Sequence, residues 1–267
     1  MDTKIDYGNW VPRKGLVAPW IGFAAALILT VVSLTALPAA WPAAILWTVR
    51  IVLMLFTLLF LMMGAIMSKA YRLFSYSGGQ VSAKILDDLI QRVVWDGNGR
   101  ALDIGCGSGA LSIRVAKKFP DAQVTGVDYW GVEWDYAKEQ CERNAQAEGV
   151  AERVHFQKGD AAKLDFEQET FDLAVSNFVF HEVKTQPQKR LVVREALRVV
   201  KKGSPFIFHD LFYNPIFYGD ADDLLREMRT WGLTEVHMER TSQQKFIPAI
   251  LRIPMFLKDI GIVYGIR

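Results

Sequence analysis

The sequence predicts an α/β fold, a doubly wound and mostly parallel sheet of seven strands, preceded by two transmembrane helices. Three observations lead there. From residue 81 to 267, short apolar runs alternate with amphipathic helical stretches, the pattern of strands joined by crossover helices. One run ends in Asp103-Ile104-Gly105-Cys106-Gly107-Ser108-Gly109 and passes at once into a helix-like stretch. That is a strand, a tight glycine turn and a helix N-terminus, a place where backbone approaches a nucleotide-like ligand closely. Residues 16–37 and 51–68 hold no charged side chain, and each stretch is long enough to be read as a membrane span.

Taken in order, residues 1–15 form a short polar segment, 16–68 a helical hairpin and 69–80 a linker containing Ser77-Gly78-Gly79. Leu37-Pro38-Ala39-Ala40-Trp41-Pro42 punctuates the hairpin, and Trp20, Trp41 and Trp47 fall near its predicted interfaces. Arg50 lies either two turns inside the second span or at its start. The remaining residues, 81–267, make the α/β part. Val81, Ile85, Leu89 and Val93 share one helical face. Strands are expected over 100–104, 123–127, 154–157, 171–176, 205–209, 235–239 and 260–267, and helices over 110–119, 134–148, 188–200 and 220–231.

Five signals stand in order along this part. They are Leu102-Asp103-Ile104-Gly105-Cys106-Gly107-Ser108-Gly109, Val124-Thr125-Gly126-Val127-Asp128, Gly159-Asp160-Ala161, Phe171-Asp172-Leu173-Ala174-Val175-Ser176-Asn177, and Leu197-Arg198-Val199-Val200-Lys201-Lys202-Gly203-Ser204. In this order and spacing the chain resembles the class I S-adenosylmethionine-dependent methyltransferases, over roughly residues 80–267 and nearest the small-molecule branch that includes quinone methyltransferases. The resemblance implies a Rossmann-like sheet whose last strand is antiparallel. It also implies S-adenosyl-L-methionine as cofactor. The glycine loop taken alone also fits a dinucleotide fingerprint, with Asp128 as a ribose-binding acid. Against that, Asp103 before the first glycine suits the ammonium and sulfonium of S-adenosylmethionine better than a pyrophosphate.

The cofactor-binding residues expected on this basis are Asp103, Gly105, Cys106, Gly107, Gly109, Asp128, Tyr129, Asp160, Ala161 and Asn177. Asp103 would take the ammonium or brace the loop, and Asp128 both ribose hydroxyls or a helix cap. Asp160 would take the adenine amino group or simply close a turn, and Asn177 the amino-acid end. Tyr129 and Trp130 would pack on the adenine, in the core or against substrate. His181, just after the fourth strand, is the candidate general base, needed only where the nucleophile arrives protonated. His209-Asp210 ends the fifth strand at the same edge, but no metal-ligand spacing appears. Cys106 and Cys141, the two cysteines, indicate no disulfide framework.

Residues 1–72 carry a net charge of +4 and the remainder −2. The α/β part is thus no basic nucleic-acid-binding domain, and the basic end suits an anionic leaflet. Lys4, Arg13 and Lys14 precede the first span and Lys69 and Arg72 follow the second. The positive-inside rule places both ends in the cytoplasm. The expectation is an integral cytoplasmic-membrane methyltransferase with the lipid bilayer and a lipophilic small-molecule or lipid acceptor as partners. The alternatives are a tethered S-adenosylmethionine-binding module without catalysis, or a nicotinamide-dependent oxidoreductase. Residues 245–258, apolar with two prolines and three cations, read as a membrane-facing lid or a packed insertion. Tyr7-Gly8-Asn9-Trp10 lies on the cytoplasmic side and is placed to fold over the site.

Overall fold

The computed structural model describes residues 5–36, 41–130, 138–254 and 256–267. It divides into two compact units, one of residues 9–82 and one of residues 1–8 with 83–267.

The first unit is a hairpin of α1 (Arg13–Thr35) and α2 (Ala43–Phe74), about 34 and 48 Å long at 1.5 Å per residue. Pro12 and Pro42 stand just before the first turns, where a missing N–H leaves no bond unmade. Small residues bring the two helices close. A Cβ at Gly64 would sit 2.9 Å from the Trp20 ring, and one at Gly22 would sit 2.6 Å from Phe60. The Trp20 indole N–H donates to Ser68 Oγ (3.0 Å), and the Thr30 and Thr57 hydroxyls meet at 3.0 Å. Arg50 lies two turns inside α2, and its Nε and Nη2 both reach the Ser33 carbonyl at 3.2 Å. That carbonyl belongs to the last turn of α1, where intrahelical donors run out. The outward faces carry Ile21, Ile28, Leu29, Leu55 and Leu58, all exposed. Only 17% and 6% of the two most apolar windows are covered, so neither is an ordinary core helix. The expected turn at Leu37-Pro38-Ala39-Ala40 lies outside the described residues. The expected linker is shorter than 69–80. Ala70 and Phe74 are buried and continue the helix, and the turn begins at Ser75, with Gly79 N–H donating to Arg72 O (2.9 Å).

The α/β unit follows from α3 (Val81–Gln91). Its elements are β1 (Gly99–Ile104), α4 (Ala110–Lys118), β2 (Ala122–Asp128), α5 (Lys138–Ala147), β3 (Val154–Lys158), β4 (Leu173–Asn177), α6 (Lys189–Arg198), β5 (Pro205–Asp210), α7 (Pro215–Tyr218), α8 (Ala221–Arg229), β6 (Glu235–Arg240) and β7 (Gly261–Ile266). The seven strands form one sheet in the order β3-β2-β1-β4-β5-β7-β6, parallel except for β7. The middles of the central strands are apolar and buried because helices cover both faces. Leu102, Ile104, Ala174, Phe206 and Phe208 pack in one core with Val192, Val193 and Ala196 of α6.

Seven expected strands are present, with shifted ends. The fourth begins at Leu173 rather than Phe171 because Asp172 is drawn into a loop, where its carboxylate accepts the Arg100 N–H (2.9 Å). The helix expected over 134–148 is described only as α5, since 131–137 lie outside the described residues. The register aligns Ile104 with Val127 and Ser176, Asp128 with Lys158 and Asn177 with His209. The carboxyl ends of five parallel strands therefore share one edge, where such sheets bind ligands.

Candidate active site

The glycine loop leaves β1 and crosses to β2, with the Gly105 and Cys106 N–H groups donating to Val127 O at 2.7 and 3.1 Å. Gly105, Gly107 and Gly109 take φ of +73°, +55° and +80°, which side chains with a Cβ adopt only under strain. Gly105 has a second reason to be glycine, since a Cβ there would collide with both methyl groups of Val179. Cys106 and Cys141 are both buried thiols, and Cys141 Sγ donates to Gly107 O (3.0 Å). Burial pushes the Cys106 thiol well up, with the neighbouring Cys141 adding to it. Cys106 thus contributes backbone and packing.

Asp128 Oδ2 accepts the Gly107 N–H (2.8 Å) and Oδ1 the Trp130 N–H (2.8 Å), so this acid braces the loop. Burial raises its pKa, and these bonds work against the rise. The Tyr129 N–H also donates to this carboxylate, which leaves one lone pair for a hydroxyl donor. Tyr129 is 59% exposed and its ring faces Lys158 Nζ at 5.3 Å. It is Trp130, at φ +42°, that turns back over the loop, its indole N–H donating to Gly107 O (3.0 Å). Asp160 closes its own turn, Oδ1 accepting from the Ala162 N–H (2.8 Å), with Ala161 between them.

Asp103 is fully buried. Its Oδ2 accepts from Ser112 Oγ (2.5 Å), whereas Oδ1 has no partner among the described residues. Burial pushes this carboxyl up to about 7. An orphaned carboxylate oxygen beside a glycine loop fits the ammonium end of S-adenosylmethionine, because a cation there removes the desolvation cost.

At the ends of β4 and β5 lie two histidines with opposite electrostatics. His209 is buried, its Nδ1 2.9 Å from Asn177 Oδ1 and its Nε2 2.9 Å from Thr241 Oγ1. Burial pushes its pKa down to about 4. Neutral His209 therefore donates from Nδ1 and holds the Asn177 amide with its NH2 turned the other way. His181, on the turn Phe180–Glu182, has Nδ1 2.5 Å from Oδ1 of the fully buried Asp210. Burial lowers the His181 pKa, but the Asp210 charge and hydrogen bond outweigh it, and the net is a rise. Asp210 is itself held below the ordinary range despite its burial, chiefly by His181, with the Leu211 and His181 N–H groups also donating to it. No cluster of three or more metal-ligating side chains occurs among the described residues.

The N-terminal segment also reaches this edge. Ser108 Oγ donates to Tyr7 O (3.1 Å), Gln140 Nε2 and Asn144 Nδ2 donate to Asp6 O (2.6 and 2.7 Å), and the Tyr7 hydroxyl donates to Glu148 (2.8 Å). Of the expected segment Tyr7-Gly8-Asn9-Trp10, Tyr7 lies against Ser108 and α5 together with Asp6, whereas Asn9 Nδ2 donates to Tyr71 O and the Trp10 ring meets Phe74 within the hairpin unit. Residues 245–258 are a packed insertion by contact. Ile247, Leu251 and Leu257 are buried, and Arg252 Nη2 donates to Ile247 O (2.8 Å); Met255 lies outside the described residues. Sequence reasoning missed Ser112, Asp210 as the His181 partner, and the buried Tyr218. Asp210 alone carried a signal, at a strand end beside a histidine.

Comparison with known proteins bears on the fold and the family. Residues 101–203 match the family described as a methyltransferase domain. Norajmaline N-methyltransferase of Rauvolfia serpentina is 30% identical over 138 residues, covering 49% of this chain and 44% of that protein. A sterol 24-C-methyltransferase of Aspergillus fumigatus is 32% identical over 107 residues, covering 40% of this chain and 26% of that protein. The chain spans about half the length of the first curated relatives it matches. Geranyl diphosphate C-methyltransferase of Streptomyces coelicolor A3(2), solved with S-adenosyl-L-homocysteine, superposes with a TM-score of 0.54 at 13% identity, over 71% of this chain and 80% of that one, and so shares the fold. With its sheet order, its glycine loop and these matches, the α/β part of this chain is a class I S-adenosylmethionine-dependent methyltransferase domain.

Proposed function

We propose that the protein is a membrane-anchored methyltransferase that transfers the methyl group of S-adenosylmethionine to a lipophilic small-molecule or lipid acceptor, with its catalytic domain on the cytoplasmic side. The observation that carries this reading is covalent: a hairpin whose outward faces are apolar and largely uncovered is continuous with a methyltransferase domain. Such faces are stable against hydrocarbon and not against water. The sterol substrate in the name of one relative is of the same chemical kind.

In this reading Asp103 holds the cofactor's ammonium, and the backbone of Gly105, Cys106, Gly107 and Gly109 lies along it. Asp128 accepts from the ribose, Tyr129 and Trp130 flank it, and Asp160 with Ala161 meets the adenine. Asn177 presents its amide NH2 to the amino-acid end. When bound, S-adenosylmethionine supplies an electrophilic methyl on a sulfonium, a good leaving group. The chain's own work is to position the nucleophile and exclude water. His181 is the general base.

The test is calorimetric binding of S-adenosylhomocysteine to the full chain in detergent, beside Asp128→Ala, followed by transfer of labelled methyl to lipophilic acceptors. Binding that the substitution weakens tenfold or more, with label on an acceptor, supports the reading. Binding without turnover of any acceptor moves it to a tethered cofactor-binding module, and absence of binding sinks it.

A further inference from the structure

The acceptor side of this site has a chemistry of its own. Asp210 sits at the end of β5 with no exposed surface, and one of its oxygens is 2.5 Å from His181 Nδ1. The Leu211 N–H (2.6 Å) and the His181 N–H (3.2 Å) also donate to this carboxylate. A carboxylate so supplied with donors stays ionised, so Nδ1 carries a proton and the lone pair of the neutral ring is on Nε2. The ring is walled by aromatics. Phe178 stands edge-on to His181 at 6.0 Å and to His209 at 5.2 Å, and Phe217 lies 5.4 Å from His181. Phe178 is held at φ +57°, its N–H donating to His209 O (2.8 Å). That conformation is costly for a residue with a Cβ and persists where the surroundings impose it.

We infer that Asp210 is a positioning residue that fixes Nε2 of His181 as the proton acceptor for an aromatic acceptor bearing an ionisable hydroxyl, so that this site methylates a phenolic oxygen. The inference rests on the methyltransferase reading above. Phe178 and Phe217 both lie against the His181 ring, an aromatic surround that favours a flat aromatic acceptor over an aliphatic one. An imidazole moves protons best from groups not far above its own pKa, and a phenol near 10 is within reach where an aliphatic hydroxyl is not. In the step, Nε2 takes the hydroxyl proton and becomes imidazolium, paired with Asp210. The phenolic oxygen forms its bond to the methyl carbon as the carbon–sulfur bond breaks, and that electron pair stays on sulfur, which becomes a neutral thioether. Three charged groups act on His181: Asp210 from β5, Glu182 on its own turn (3.7 Å from Nε2) and Lys189 from α6; the buried Tyr218 hydroxyl of α7 lies beside Asp210.

The experiment uses the full chain in detergent with tritiated S-adenosylmethionine and three matched probes: 4-octylphenol, 4-octylaniline and 4-octylthiophenol. The phenol is expected to be labelled, with kcat rising with pH along a limb centred above 6.5. Asp210→Asn is expected to lower kcat on the phenol at least 100-fold and move that limb down. Its S-adenosylhomocysteine affinity should stay within twofold, which shows the variant is folded. Asp210→Glu should restore part of the rate. Selective 13C NMR of the four histidines, with His181→Gln for assignment, should show the His181 titration falling in Asp210→Asn. Label on the aniline or thiol in preference to the phenol, or on none of the three with S-adenosylhomocysteine bound, overturns the inference. So does an Asp210→Asn variant with unchanged kcat and an unchanged His181 titration. Absence of S-adenosylhomocysteine binding in the unsubstituted protein removes the methyltransferase reading instead, and this inference with it.

Discussion

Asp103, buried beside Ser112, ties stability to pH. An acid whose pKa is raised in the fold costs nothing while protonated and destabilises as pH climbs from its unfolded value, 3.8, towards about 7. The ligand-free protein should therefore lose stability across that window, and Asp103→Asn should lose less, measured as Tm against pH. An ammonium beside Oδ1 would force ionisation, so S-adenosylhomocysteine binding at pH 6 should release close to one proton and at pH 8 close to none. Calorimetry in buffers of different ionisation enthalpy reads this directly, and equal release at both pH values would exclude Asp103 as the ammonium's partner. His181 has the opposite sign. Its paired, charged form stabilises the fold below pH 6.5, and that contribution is lost as pH rises through its raised pKa, while the neutral base becomes available.

The β1–α4 turn is the element that shapes the site, and its glycines serve two ends. Gly105 needs a positive φ and also leaves the volume that Val179 fills. Gly105→Ala should cost about 1–3 kcal/mol of stability through strain and overpacking, measured by denaturant unfolding. In the background of Val179→Ala the clash with the two methyl groups is removed, while the closer-than-contact approach to the Val179 Cβ (2.7 Å) and the backbone part remain. The double-mutant cycle should then give a coupling above about 0.5 kcal/mol. Additive effects would show that backbone conformation alone selects the glycine. Gly109, at φ +80° before α4, leaves room for Phe156. The close approach at these two glycines is therefore made first by the protein's own side chains.

For the whole molecule, the division of labour between hairpin and domain is a prediction about solubility. The full chain should stay with membranes through high salt and alkaline carbonate and leave only with detergent. Release by carbonate would mean that the apolar faces of α1 and α2 are covered by protein rather than lipid. Arg50 should not weaken this anchoring, because its guanidinium binds a helix-end carbonyl within the hairpin.

Much of this was written in the chain. Alternating apolar and amphipathic stretches specify seven strands and their crossover helices because burial on both faces demands continuous apolar strands. The glycine spacing specifies the loop because few other residues take three positive φ values so close together. Uncharged apolar stretches specify two long helices, each long and apolar enough to cross a membrane. Tertiary structure decided what distance along the chain conceals. Asp210 meets His181 across 29 residues, and His209 reaches Asn177 and Thr241 across 32 residues in either direction. These contacts depend on β4 and β5 lying side by side. Two histidines of one residue type were thereby given opposite roles. Burial keeps His209 uncharged against the pull of the neighbouring Asp210, whereas at His181 the Asp210 carboxylate outweighs burial and raises the pKa. Sequence names the groups, but dielectric and partner distance set their protonation, and both exist only once the sheet has formed.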